Sequence, residues 1–281
     1  MFLSDTLILV RGGGDLGTGV AHRLHQAGFT VMVAEIAQPL AVRRAVAFAE
    51  AVYARQITVE GVTARLAPDP LIGIAHTVLG EIPVVVDEDN AVIKQMRPPI
   101  VVDARMLKTN LGTRRTDAAL VVGLGPGFSA GADCHAVVET NRGHNLGRVY
   151  WEGSAEADTG KPEAVSGFAG SRVLRAPTDG VFTGRTQIGD IVKQGALLAE
   201  VGGEPIRAEF DGALRGLLHD GLRVGRGLKV GDLDPRGVRE YCFQISDKAR
   251  AVAGGVLEAV LAGMRFWMPE PPPEVRDRGR P

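Results

Sequence analysis

The chain has 281 residues, 45% of them apolar and 23% charged, which suits one large domain or two ordinary ones and excludes a disordered or fibrous chain. Its 32 Lys and Arg nearly cancel 33 Asp and Glu, and a formal charge of -1 lacks the electrostatic footprint of a general nucleic-acid binder. Cys134 and Cys242 lie too far apart in sequence for a secreted disulfide framework, and no run reads as a signal segment or membrane span, so a cytoplasmic protein without nucleic-acid or membrane partners is expected.

The run TLILV (Thr6 to Val10) predicts a strand, Leu16, Val20, Leu24 and Ala27 at helical spacing predict a helix, and TVMVAEI (Thr30 to Ile36) predicts a second strand, together a β-α-β unit. Apolar runs at 82–86, 100–102 and 118–122, with a helix-like stretch from Asp69 to Glu81, extend the alternation. A Rossmann-type doubly wound α/β sheet is expected over 1–153. The adjacent runs CHAVVET and RVYWEG predict an antiparallel extension at its end.

Residues 154–171 are small, polar, Gly and Pro residues without period and read as a linker. Over 172–236 an internal repeat follows: Arg175-Ala176 returns as Arg207-Ala208, Asp179-Gly180 as Asp211-Gly212, and Gly184, Gly189, Val192 and Gly195 return as Gly216, Gly221, Val224 and Gly227. The half-repeat resembles half of a biotinyl/lipoyl carrier domain, which implies a C-terminal all-β barrel-sandwich. In such domains a modified lysine sits where the halves join; here that joint is Gly202-Gly203-Glu204-Pro205, so no biotin or lipoate attachment is expected. Strand-like REYCFQI and a helix from Ala249 to Met264, capped by Ser246, are expected over 237–266, and the proline-rich tail 267–281 is expected to be disordered.

Gly12, Gly14 and Gly17 form G-x-G-x-x-G between the first strand and the first helix, and Glu35 ends the second strand. The spacing fits a phosphate at the helix N-terminus and a ribose on the acid, against a purely structural turn; Asp15 near that terminus argues for the latter. Asp103 and Arg105 close the run IVV where open α/β sheets bind ligands, and Lys108 follows them in a stretch without acids, readable as an anion site or as a solvated loop. Gly125 and Gly127 lie in a second glycine loop that fits an anion nest or a chain reversal. Asp133, His135, Glu139, Asn141, Arg142 and His144 are candidate polar ligand contacts, with mutual pairing at a domain interface as the alternative. No metal site and no catalytic set is assigned, because zinc-type spacings and an evident nucleophile are missing.

The strings VRGGGDLGTGVAHRLHQAGF, VVDARMLKTNLGT, GLGPGFSAG, HAVVETNRGHNLGRVYWEGSAE and EYCFQISDKARAVAGGVLEAVL are together similar to one family, the YqeB-like accessory proteins of the selenium-dependent molybdenum hydroxylase system. The resemblance implies a maturation factor, related to XdhC-type chaperones, that serves a client molybdenum hydroxylase. On this expectation the glycine loops bind a nucleotide (NAD(P) or an adenine or cytosine nucleotide) or molybdenum cofactor, the barrel-sandwich docks the client, and a homo-oligomer is admitted. The alternative expectation is an NAD(P)-dependent oxidoreductase with Glu35 on the ribose and His135 or His144 as proton donor. Whether any reaction is catalysed stays open at this point.

Overall fold

A computed structural model of the chain describes residues 3–158 and 170–265. Strand β1 (Leu7–Arg11) leads into helix α1 (Asp15–Gln26), and β2 (Thr30–Glu35) returns beside β1 in parallel register. The predicted helical spacing is what buries Val20 and Leu24 against the sheet. A segment of two 3-10 turns, Arg44–Val46 and Phe48–Glu50, and the short α2 (Ala51–Ala54) then leads to an edge hairpin, β3 (Gln56–Val59) and β4 (Val62–Ala67).

Helix α3 (Pro70–Val78) starts where the Asp69 carboxylate accepts the Ile72 N–H at 3.0 Å and proline occupies the first turn. Strand β5 (Ile82–Val86) slots between β2 and β4, α4 (Ala91–Met96) follows, and β6 (Ile100–Asp103) crosses to the other side of β1. Strands β7 (Leu120–Leu124), β9 (Ala136–Val138) and β10 (Val149–Tyr150) extend that side, while β8 (Ser129–Ala130) pairs with β11 (Gly153–Ser154). The nine-stranded order is β10-β9-β7-β6-β1-β2-β5-β4-β3, with antiparallel pairs at both edges.

The second part holds β12 (Val173–Arg175), β13 (Gly180–Gly184), β14 (Ile191–Val192), β15 (Leu197–Val201), β16 (Glu204–Arg207), β17 (Gly212–Leu217), β18 (Arg223–Val224) and β19 (Lys229–Asp234). They form two four-stranded antiparallel sheets, β12-β19-β17-β14 and β16-β15-β13-β18. Shifting each strand of one sheet by the sequence repeat gives its counterpart in the other, as β13 to β17 and β15 to β19. Phe182, Leu198, Val201, Leu214, Val230 and Leu233 fill the core between them. Gly202 and Gly203, both at positive φ, form the two-residue turn between β15 and β16.

The longest helix, α5 (Asp247–Met264), begins at Ser246, whose hydroxyl accepts the Ala249 N–H at 3.1 Å. Its Val252, Val256 and Val260 stripe packs with α1 on the large sheet, in the same core as Ile8, Val10 and Val33. This corrects the expected fold class. A doubly wound Rossmann sheet followed by a barrel-sandwich does not describe the molecule: the sheet is large and mixed, its connections into β7 and β9 carry a 3-10 turn and a short strand instead of helices, the one into β3 carries only the four-residue α2 beside 3-10 turns, and its long covering helix arrives from the far end of the chain. Local periodicity cannot reveal this, because an apolar stripe says that a helix is covered without saying by which sheet. The predicted strand in REYCFQI is a 3-10 turn, Arg239–Cys242. Most of the predicted linker and the tail from 267 lie outside the described residues.

Among the described residues no helix is long and apolar enough to cross a membrane.

Candidate functional site

Chain order reverses at β1: β2 and β5 lie on one side, and β6 comes back to the other. In open α/β sheets the crevice outside the carboxyl ends at such a reversal is where ligands bind. Arg11 is the last residue of β1 and Asp103 the last of β6, and the two are register partners. Arg11 (4% exposed), Asp103 (1%) and Thr113 (2%) are all buried there.

The Asp103 carboxylate is the hub. Arg11 Nη1 lies 3.5 Å from Oδ2, the Thr113 hydroxyl donates to the same oxygen at 2.5 Å, and Arg105 donates from Nε and Nη2 at 3.1 and 2.7 Å. Arg11 also donates to the Thr113 hydroxyl and to the Asn90 side-chain oxygen, which ties in the loop before α4. Asn110 holds Thr113 from both backbone sides, accepting its N–H at 2.9 Å and donating to its carbonyl at 2.8 Å. Burial pushes the Asp103 carboxyl up, but Arg105, Thr113 and Arg11 outweigh it and hold the group below its ordinary range. Burial lowers the Arg11 pKa, opposed by Asp103. Two guanidiniums therefore share one carboxylate, and only Arg105, with 22% of its side chain exposed, reaches solvent.

The glycine loop is closed by the chain itself. Gly12 N–H donates to Ala34 O at 2.8 Å, Gly13 N–H to Glu35 Oε2 at 2.7 Å, and Gly13 O accepts from Ala49 N–H at 2.9 Å. The Thr18 hydroxyl donates to Gly13 O and accepts the Phe48 N–H. A Cβ on Gly13 would stand 2.8 Å from Ala49 N, and one on Gly12, at φ +94, 3.0 Å from the Arg105 backbone. The tight approach is thus protein on protein, and Gly17 likewise backs onto Gly12; Gly14 alone faces open space. Asp15 pairs with Arg43 at 3.0 Å, so a carboxylate stands in the first turn of α1. Glu35, expected on a ribose, accepts from Gly13 and Ile36, and burial raises its pKa against those two hydrogen bonds. The nucleotide-binding reading of this Rossmann-like motif is corrected on these contacts.

The other candidates do not converge on Arg11. Lys108 pairs with Asp158 at 2.5 Å on the surface. Gly125 and Gly127 make a chain reversal: Gly125 N–H donates to Val138 O, and a Cβ on Gly127 would meet the Lys108 carbonyl carbon at 2.7 Å. Asp133 accepts the Ser129 N–H, and His135 Nδ1 accepts the Val121 N–H, both at 2.9 Å. Glu139 is buried and takes three backbone N–H groups, from Thr140, Asn141 and Glu156. Asn141 donates to Glu156, Arg142 forks onto Asp247 at the start of α5, and His144 is exposed. Burial, the largest effect, pushes the Cys134 thiol up to about 12, which leaves it no nucleophile. Among the described residues no cluster of three His, Cys, Asp or Glu could hold a metal.

Arg11, Thr113 and Asn90 were invisible to motif reading. Arg11 stands directly before the first glycine at a strand end, the one signal that could have marked it. A second unforeseen cluster joins the two parts of the molecule: His219 stacks on Tyr53 with ring centroids 4.2 Å apart, and Glu50 lies 3.6 Å from Arg44 and 3.8 Å from His219. Leu217 N–H donates to Val42 O at 2.8 Å beside it, so a loop of the first part lies along β17.

Over 255 residues the chain is 48% identical to YqeB of Escherichia coli (strain K12), matching 91% of this chain and 47% of that protein, which is described only as uncharacterized. The chain belongs to the YqeB family. It spans about half the length of that curated relative. No family model matches. Solved structures similar to this YqeB-family chain include an aspartoacylase family protein from Mesorhizobium loti (15% identity, covering 81% of this chain and 84% of that one) and a succinylglutamate desuccinylase/aspartoacylase from Rhodobacter sphaeroides (16%, 81% and 85%), both at a TM-score of 0.24. The ectoine utilization protein EutE (DoeB) from Ruegeria pomeroyi stands at the same score (13%, 81% and 84%).

Neither the relative, described only as uncharacterized, nor these neighbours support the expected maturation role for a molybdenum hydroxylase, the XdhC-like relation or the oxidoreductase alternative. At such low structural similarity the neighbours lend this chain no activity of their own.

Proposed function

We propose that the chain binds a small oxyanion-bearing metabolite at the carboxyl ends of β1 and β6, with Arg105 as the solvent-facing cation and Arg11 as the buried one behind it. The observation that carries this reading is the sharing of Asp103 by two guanidiniums at the point where strand order reverses. Two guanidiniums in contact with a single carboxylate favour an anion, because each guanidinium is costly in a low-dielectric site without a directly paired counter-charge. Guanidinium forks match the oxygens of phosphate and carboxylate, and Thr113 and Asn110 hold the loop that presents Arg105. The expected nucleotide or molybdenum cofactor enters only as one source of phosphate among several.

Thermal unfolding of the whole chain with inorganic phosphate, pyrophosphate, citrate, CTP and NAD at matched ionic strength tests this. Ligand at 100 times its dissociation constant should stabilise by about 2.7 kcal/mol. A shift with at least one oxyanion that Arg105→Gln removes supports the reading, and no shift with any of them, or one that Arg105→Gln leaves intact, refutes it.

A further inference from the structure

The amino ends of β7 and β9 frame a groove at the other end of the sheet from the Arg11 cluster. Leu120 opens β7 in register with Ile100, the first residue of β6, whereas Asp103 is the last. The groove encloses about 410 Å³ and is lined by Arg115, Ala119, Leu120, His135, Trp151 and Gly263. That volume lies within the usual range for small-ligand pockets.

Three of its side chains carry recognisable chemistry. His135 Nδ1 accepts the Val121 N–H, which places the ring proton on Nε2, and burial followed by the nearby Arg115 lowers its pKa, so the imidazole is a neutral donor at neutral pH. Arg115, in the 3-10 turn Arg115–Asp117, makes one long hydrogen bond, 3.4 Å to Gly131 O, and among the described residues no carboxylate forms an ion pair with it. Trp151, 38% exposed, contributes a large aromatic ring beside them. A fixed neutral donor, a guanidinium that no carboxylate pairs with among the described residues and an indole differ from the cluster at the carboxyl ends, where both guanidiniums contact Asp103. Planar guanidinium favours a planar anion, and an indole ring favours a flat apolar body.

We propose that this groove binds a small aromatic carboxylate, with Arg115 on the carboxylate, His135 Nε2–H as second donor and the Trp151 ring stacked on the ligand's plane. The site does not depend on the anion site at β1 and β6, and each stands or falls alone. Calorimetric titration of the whole chain with benzoate tests it, with benzamide and cyclohexanecarboxylate as matched ligands lacking the charge or the aromatic plane. Saturable binding at one site is expected, weakened about tenfold or more by Arg115→Gln through the lost charge-assisted contact, and weakened also by Trp151→Leu and in both matched ligands. Arg115 is exposed, so its replacement leaves the fold intact, as an unchanged unfolding midpoint checks. No saturable benzoate binding, or binding that Arg115→Gln and Trp151→Leu leave unchanged, overturns the proposal. Cyclohexanecarboxylate binding as tightly as benzoate also overturns it, because the aromatic plane would then contribute nothing.

Discussion

Arg11 and Asp103 end neighbouring parallel strands in register, and the guanidinium of one lies 3.5 Å from the carboxylate of the other with both side chains buried. Arg105, two residues past Asp103, curls back to the same carboxylate at 2.7 Å. One acid is therefore shared by two cations and fixes the crossover loop to the end of β1.

Replacing that acid should be severe. Asp103→Asn leaves Arg11 buried without its counter-charge, and a loss of about 3–5 kcal/mol in urea unfolding is expected. Adding Arg11→Met should recover part of it, since removing both charges is cheaper than stranding one. A loss equal to that of an ordinary surface substitution would show that Arg11 does not rely on Asp103.

Asp103 and Glu35 should give opposite pH dependences. The folded pKa of Asp103 is depressed, so its stabilising contribution is present above its ordinary value of 3.8 and is lost as pH falls through the lower folded value. Burial raises the folded pKa of Glu35, so its contribution is present below 4.5 and is lost as pH rises through the folded value. Urea midpoints measured from about pH 3 to 7 should therefore show Glu35→Gln removing a decline just above pH 4.5. If wild type and Glu35→Gln run parallel there, the buried carboxyl does not titrate as argued.

The glycine loop separates packing from ligand approach. Gly13→Ala places a Cβ 2.8 Å from Ala49 N and should cost about 1–3 kcal/mol through forced backbone shifts, whereas Gly14→Ala meets nothing within 4 Å and should leave the unfolding midpoint nearly unchanged. Equal costs at both positions would contradict the self-closed loop.

Docking of the two parts should depend on one stacked pair. His219→Ala removes the ring lying 4.2 Å from Tyr53, and a double-mutant cycle with Tyr53→Leu should return a coupling of about 0.5–1.5 kcal/mol. A coupling near zero would mean that Val42 and Leu217 hold the contact without it.

Much of the local structure was legible in the sequence: β1, α1 and β2 follow from apolar runs and helical spacing, and Asp69 and Ser246 mark the helices they begin. What failed was reading partners from local patterns. G-x-G-x-x-G states that backbone comes close to something, and here that something is Ala49, Arg105 and Glu35 of the same chain. The polar stretch from Asp133 to His144 is dense in sequence, but its strand and turns send His135 to one end of the sheet and Arg142 to the start of α5. Asp103 and Arg105 were found because position at a strand end is itself the signal, while Thr113 and Asn90 reach the same place by loops whose course no periodicity encodes.

The most direct test of the central claim is a crystal of the whole chain soaked with tungstate, an oxyanion located by its own anomalous scattering. An anomalous peak within hydrogen-bond reach of the Arg105 guanidinium, at the carboxyl ends of β1 and β6 and missing in Arg105→Gln, is the result expected. Peaks confined to other surface arginines, or none beside Arg105, would contradict the anion site and return the Arg11–Asp103–Arg105 cluster to a purely structural role.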